Sequence, residues 1–145
     1  MKRSAALTPL SRDHHHGLAV AQRLRRATDE TAAEARETFL LFWNTEGRHH
    51  FRVEEDVLLP AFARRGPANH EAVVRVLIEH VELRCLAASL EAQASTVEAL
   101  HDLGESLAQH IRHEERVLFP LIEATLPQAE LDELANALAV AEANG

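Results

Sequence analysis

The segment His50-Phe-Arg-Val-Glu-Glu-Asp-Val-Leu-Leu-Pro60 aligns without a gap with His110-Ile-Arg-His-Glu-Glu-Arg-Val-Leu-Phe-Pro120 in the second half of the chain. Each copy places a His and a Glu four residues apart, His50 with Glu54 and His110 with Glu114. On a helix that spacing stacks the two side chains on one face, one turn apart. A neutral imidazole and a carboxylate on one face form a bidentate half-site for a transition metal. Two half-sites in 145 residues point to a metal centre between helices.

The rest of the chain reads as helices. Glycine is scarce and strand-type alternation is missing. Thr8-Pro9 predicts a cap with Pro at the first helical position, opening a helix that runs to about Thr28. Thr31-x-x-Glu34 reads as a capping box for a second helix that stops at Arg65-Gly66-Pro67. Asn69 is the expected cap of a third helix, with Val73, Val76, Leu77, His80, Leu83 and Ala87 on its apolar stripe. Ser95-x-x-Glu98 is the expected cap of a fourth, with Leu107, His110, Glu114, Val117 and Leu118 inward. Pro127 precedes a short fifth helix carrying Leu131, Leu134 and Leu138. Pro60 and Pro120 should distort helices 2 and 4 near their ends.

Short connections make neighbouring helices antiparallel, so heights can be compared across each turn. His14 lies about four and a half helical turns before the bend near residue 30, and His50 about five and a half after it. His50 and His80 lie about four turns either side of Gly66, and so do His80 and His110 either side of Ser95. At ~1.5 Å per residue the four histidines agree in height to within ~6 Å. Each sits on its helix's apolar stripe, which faces the bundle axis. Asp13-His14 and Glu79-His80 are a second matching pair and extend the repeat to a duplicated helical hairpin. Each metal would take imidazoles from its own hairpin, with Glu54 and Glu114 placed to bridge.

Single residues of these kinds are ordinary: a lone His on an apolar stripe is usually a hydrogen-bonded core residue. Four level histidines with two level glutamates would instead be a costly buried polar cluster without a cation. His15 is the alternative to His14, and Glu115, five residues after His110, is a further candidate ligand if the helix is distorted. Glu55 is expected to pair with Arg52, Arg112 or Arg116, and the same pairing is the other reading of Glu115. Asp13 and Glu79 are open between solvent and contact with a neighbouring helix or a ligand His. His49, His70, His101 and His113 read as surface or rim residues, with His113, three after His110, also open to contact with a ligand residue, and Cys85 as a small core residue. Phe51 and Phe119 are expected beside the site.

These residues resemble the haemerythrin-like family, the HHE cation-binding domains. Asp13-His14, His50-x-x-x-Glu54, Glu79-His80 and His110-x-x-x-Glu114 match its four-helix signature in order and spacing. The resemblance implies an all-α, up-down-up-down four-helix bundle over about residues 8–125, to which this chain adds its helix at about 128–143, in a single domain spanning 1–145. It also implies two iron ions, oxo- or hydroxo-bridged, with His14, His50, Glu54, His80, His110 and Glu114 as ligands. Zinc or manganese would suit the same donors. Small ligands such as O2, peroxide or NO are the implied partners. Three functions are then open: a binding or sensing module, a di-iron enzyme acting on peroxide or oxygen, or a structural bundle with a zinc-filled or vestigial site. Two departures from the oxygen carriers stand out. Arg84 occupies the position of their second helix 3 His, and Glu114-Glu115 replaces a single Asp. Both point away from simple oxygen carriage.

Composition narrows the rest. A net charge of −8 argues against nucleic acid and anionic membrane surfaces as partners. No apolar run reaches the ~20 residues of a membrane span, no signal peptide is visible, and one Cys permits no internal disulfide. The expected location is cytoplasmic. Tyr is absent, which excludes a tyrosyl radical. Two roles are open to helix 5, capping the bundle or mediating a homodimer.

Overall fold

The computed structural model describes residues 2–145, and among these every regular element is helical. Helix α1 is Thr8–Arg25. Helix α2 covers residues 32–63 as Ala32–Phe42, Arg48–Val53 and Leu59–Ala63, joined by π turns at Trp43–Gly47 and Glu54–Leu58. Helix α3 is the unbroken Glu71–Ala92. Helix α4 covers residues 97–125 as Val97–His113 and Phe119–Thr125 around a π turn at Glu114–Leu118. Helix α5 is Gln128–Ala143. The first four form an up-down-up-down bundle in which α1 packs on α2 and α4, and α3 on the same two.

The helix starts sit one residue away from three of the expected caps. Leu7, not Thr8, precedes α1, and the Thr8 hydroxyl donates to the Ser4 carbonyl at 3.0 Å. His70, not Asn69, caps α3, its Nδ1 accepting from the Ala72 N–H at 3.0 Å. Thr96, not Ser95, caps α4 through the Ala99 N–H. Thr31 does precede α2, but its hydroxyl accepts from the Thr28 N–H and closes the preceding turn instead of capping the helix. That tight turn is why α1 ends at Arg25 and not near Thr28.

The two prolines act through π turns. Pro60 and Pro120 have no N–H to donate, and their rings crowd the carbonyl four residues back. Each helix widens there, so that Leu59 donates to the Glu54 carbonyl and Phe119 to the Glu114 carbonyl, five residues back in both cases. Both widened turns therefore begin at the duplicated Glu. The extra residue also rotates the next stretch of helix, which puts Val117 outward at 46% exposure instead of in the core. On α3 the core stripe is Val73, Val76, His80, Leu83, Ala87 and Leu90. Leu77, one residue past Val76, and Cys85, two past Leu83, are rotated off that stripe and are exposed.

The apolar core is in two pieces. One gathers Leu7, Leu10, Leu58, Phe62, Val76, Leu118 and Ile122, and it includes Leu131, Leu134 and Leu138 of α5. The other gathers Val20, Leu24, Phe39, Trp43, Leu83, Leu103 and Leu107. Helix α5 thus spends its leucines capping its own bundle, and Arg65 fastens its start through Glu130 at 2.7 Å. Helices α1 and α4 approach closely at Gly104, where a Cβ would lie 2.7 Å from the Ala21 carbonyl oxygen. Between the two pieces lies a layer of buried polar side chains: His14, His50, Glu54, His80, His110 and Glu114.

Candidate metal centre

The six side chains meet at one height because each replaces an apolar residue on an inward stripe. Leu10 and Gly17 flank His14 on α1, and Val76 and Leu83 flank His80 on α3. They fall into two groups of four donors: His14, His50, Glu54 and Glu114, and Glu54, His80, His110 and Glu114. Within each group the donor atoms lie within 4.8 Å of one another. The first group draws its imidazoles from the first hairpin and the second from the second. Both glutamates belong to both groups.

Each shared carboxylate divides its oxygens. Glu54 Oε2 faces His50 Nε2 at 3.1 Å and His14 Nε2 at 3.9 Å, while Oε1 faces His80 Nε2 at 3.1 Å. Glu114 Oε1 faces His14 Nε2 at 2.8 Å, while Oε2 faces His110 Nε2 at 3.2 Å and His80 Nε2 at 3.6 Å. Each carboxylate thus offers one oxygen to either group.

Behind the imidazoles is a ring of four acids. His50 Nδ1 meets Asp13 at 3.0 Å, His80 Nδ1 meets Glu55 at 2.7 Å, His110 Nδ1 meets Glu79 at 2.8 Å and His14 Nδ1 meets Glu115 at 2.5 Å. Each acid adjoins an inward residue of its own helix and reaches the His of the next, α1 to α2 to α3 to α4 and back to α1. An ionised carboxylate can only accept, so each Nδ1 carries a proton, which leaves Nε2 as the inward atom that a cation would take once its own proton is lost. Glu55 and Glu115 therefore serve His80 and His14, not Arg52, Arg112 or Arg116. The residue beside an inward one is turned about 100° around the helix, toward the next helix and away from arginines on its own.

Cations back three of the four acids. Arg84 lies 3.0 Å from Glu55, Arg75 lies 2.9 Å from Glu79, and Arg3 lies 3.3 Å from Glu115, which also accepts from Ser11. Among the described residues no Lys or Arg pairs with Asp13. His15 is exposed and belongs to neither group. His113 is buried, with Nε2 on the Ala72 carbonyl at 3.2 Å, so it ties α4 to α3 and is not a surface residue. Phe51 stacks on His80 with ring centroids 3.8 Å apart, and Phe119 stacks on His14 at 5.3 Å. The sequence signal for the acid ring was the recurrence of an acid beside one candidate donor on each of the four helices; Arg3 left none.

A cation fits this donor set. Among the described residues, Nε2 of His50, His80 and His110, both oxygens of Glu54 and Oε2 of Glu114 are buried without a hydrogen-bond partner. The close contacts between them are not aligned as hydrogen bonds. Orphaned buried polar atoms cost about 1–3 kcal/mol each, and more when charged, and here all of them face one point. Their titration follows the same crowding. Burial works against charge on His110, but the Glu114 and Glu79 carboxylates outweigh it and hold the imidazole at about 10. Burial likewise opposes charge on His80, and Glu114 and Glu54 hold it at about 9. Glu114 is pulled well below the usual carboxylate range, its burial outweighed by His110, His14 and His80. A cation taking these nitrogens displaces their protons, so its affinity rises with pH.

A cavity of about 20 Å³ abuts the layer, between Gly17 of α1, Phe42, Trp43, Gly47 and Phe51 of α2, and Leu107 and Ile111 of α4. His14, His50 and His110 reach it, and His80 does not. Among the described residues no helix is long and apolar enough to cross a membrane. The family model described as the Hemerythrin HHE cation binding domain matches residues 6–122, most of the chain and all six buried donors. No curated protein and no solved structure matches significantly. With its bundle, its buried His and Glu layer and that match, the chain belongs to the hemerythrin family of HHE cation-binding domains.

Proposed function

We propose that His14, His50, His80 and His110 hold two iron ions bridged by Glu54 and Glu114, and that the protein binds or senses a small diatomic ligand there. The observation that carries the reading is the pair of four-donor groups sharing both glutamates, each with one oxygen turned to either side. Mixed imidazole and carboxylate donors suit iron as well as zinc and manganese. Iron would supply reversible coordination of, and electron exchange with, a ligand such as O2 or NO.

The chain's own residues hold, orient and seal. Asp13, Glu55, Glu79 and Glu115 fix the four rings by their Nδ1 protons. Phe51 and Phe119 cover ring faces and keep water off them. The cavity is small and lined mainly by carbon, so it offers water few partners and suits an apolar diatomic better than peroxide. No signal for a dedicated reaction accompanies it.

Anaerobic loading with iron(II), followed by separate additions of O2, NO and peroxide, tests the reading. Uptake of two irons per chain and a visible band that appears with O2 or NO and disappears on degassing are expected. Sustained peroxide consumption would favour an enzyme instead. Stable binding of zinc with no uptake of iron would leave a structural bundle.

A further inference from the structure

Exposed large apolar side chains concentrate on one helix. Val74, Leu77, Ile78, Val81 and Leu86 of α3 are 39%, 41%, 54%, 63% and 39% exposed. Cys85 lies exposed among them. Val74, Ile78, Val81 and Cys85 are spaced by four, three and four residues, so they form one straight stripe on the side of α3 opposite Val76, Leu83 and Ala87. The helices α1, α2, α4 and α5 all lie elsewhere, so the described residues leave the stripe uncovered. Helix α5 has its leucines buried in its own core and offers no comparable face.

We propose that this face of α3 pairs with the same face of a second copy of the chain, antiparallel, about a two-fold axis near residues 79 and 80. The stripe's spacing reads the same in both directions, so reversal sets Val74 against Cys85 of the other copy and Ile78 against its Val81. The charges on one flank suit this direction. Arg75 and Glu82 border the stripe on the same flank, two helical turns apart. Antiparallel pairing brings Arg75 beside Glu82 of the other copy, twice by symmetry, as an isologous interface requires. Parallel pairing would set this flank against the opposite one, where Arg75 meets Leu77 of the other copy and Glu82 meets an Arg84 already held by Glu55. Arg75 already pairs with Glu79 of its own helix, but it is 52% exposed and keeps donors free for a second carboxylate. The stripe offers on the order of 400 Å² of apolar surface, about half of one partner's share of a standard interface. The pairing is therefore weak and concentration-dependent. Cys85 meets Val74, not its own copy, so no disulfide is needed.

Sedimentation of the metal-loaded full chain from about 1 μM to 1 mM, in reducing buffer, tests this. The wild-type chain is expected to pass from monomer to dimer, and Ile78→Glu to stay monomeric with an unchanged helical spectrum. Arg75→Glu and Glu82→Arg should each be monomeric alone, because each sets like charges together. Mixing those two variants should restore a dimer, since every pair is then complementary. A wild-type chain that stays monomeric throughout, an Ile78→Glu chain that dimerises as well as wild type, or charge variants that fail to combine would overturn the proposal. Any other occupant of the stripe would appear as the first of these results.

Discussion

His80 lies under Phe51 with the ring planes 4° apart, while the repeat's counterpart of Phe51, one residue after His110, is Ile111, and the ring stacked on His14 is Phe119. Three residues past His80 stands Leu83, and three past His14 stands Gly17. The apolar cavity opens where Gly17 and Ile111 replace the bulk of Leu83 and Phe51. A Cβ on Gly17 would come within 2.8 Å of Ile111 Cδ1, so even that glycine leaves little room. The acids behind the imidazoles differ in the same sense. Glu55 and Glu79, which orient His80 and His110, both carry an arginine. In the other half Glu115 does and Asp13 does not. One repeated pattern has thus produced two unlike halves: both acids behind His80 and His110 carry an arginine, and the cavity beside Gly17 touches both imidazoles of the first half and only His110 of the second.

The largest test removes what the halves share. Glu114→Ala should lose both ions by elemental analysis and destabilise the protein by about 3–5 kcal/mol, because the buried imidazoles lose their counter-charge. If one ion stays bound at full affinity, the halves are independent and the shared carboxylate does not join them. Next comes exchange. A chelator should strip the His14 and His50 side at least about tenfold faster than the other. His50→Ala should abolish the fast phase, and His80→Ala the slow one. The reverse assignment would break the contrast. The orienting acids sharpen it further. Glu79→Gln should weaken metal binding by about 10–100-fold, and Asp13→Asn by about tenfold at most, measured by competition with a chromophoric chelator.

The smallest expected effects concern access and pH. Gly17→Ala should slow ligand association severalfold while leaving metal content and melting nearly unchanged. Equal rates would remove the cavity from the path. In metal-stripped protein, His80 and His110 have folded values raised above 6.5, to about 9 and about 10. Their contribution to stability is complete below 6.5 and is lost as pH rises through those values. Glu114, lowered from 4.5, contributes above that value and loses its contribution as pH falls. Thermal melts of stripped protein should therefore drop between pH 6.5 and about 10, while the loaded protein should not follow, because the cation has displaced the same protons.

The six inward donors were legible because helical period alone decides which residues share a stripe. His14, His50, His80 and His110 each occupy an apolar position, and the short turns set their height. The ring of acids was only half legible. Asp13, Glu55, Glu79 and Glu115 are visible beside the donors, but which His each one meets depends on the rotation of the adjacent helix. Val117 was misplaced because a π turn changes the phase after Glu114, and no rule of period anticipates an extra residue in the turn. Leu77 and Cys85 were misplaced because α3 buries a narrow stripe, whose width is set by its neighbours.

Local chemistry along the chain determined five helices, the duplicated hairpin and which six His and Glu side chains face inward, since spacing and capping act within a few residues. Only the tertiary structure decided the oxygen-by-oxygen sharing of Glu54 and Glu114, the circular order of the acids, the arrival of Arg3 behind Glu115, and the placing of the cavity. Each of those depends on how far one helix is turned against the next. That rotation is set by packing at positions such as Gly17, Phe51, Gly104 and Ile111, whose partners lie far away in the chain.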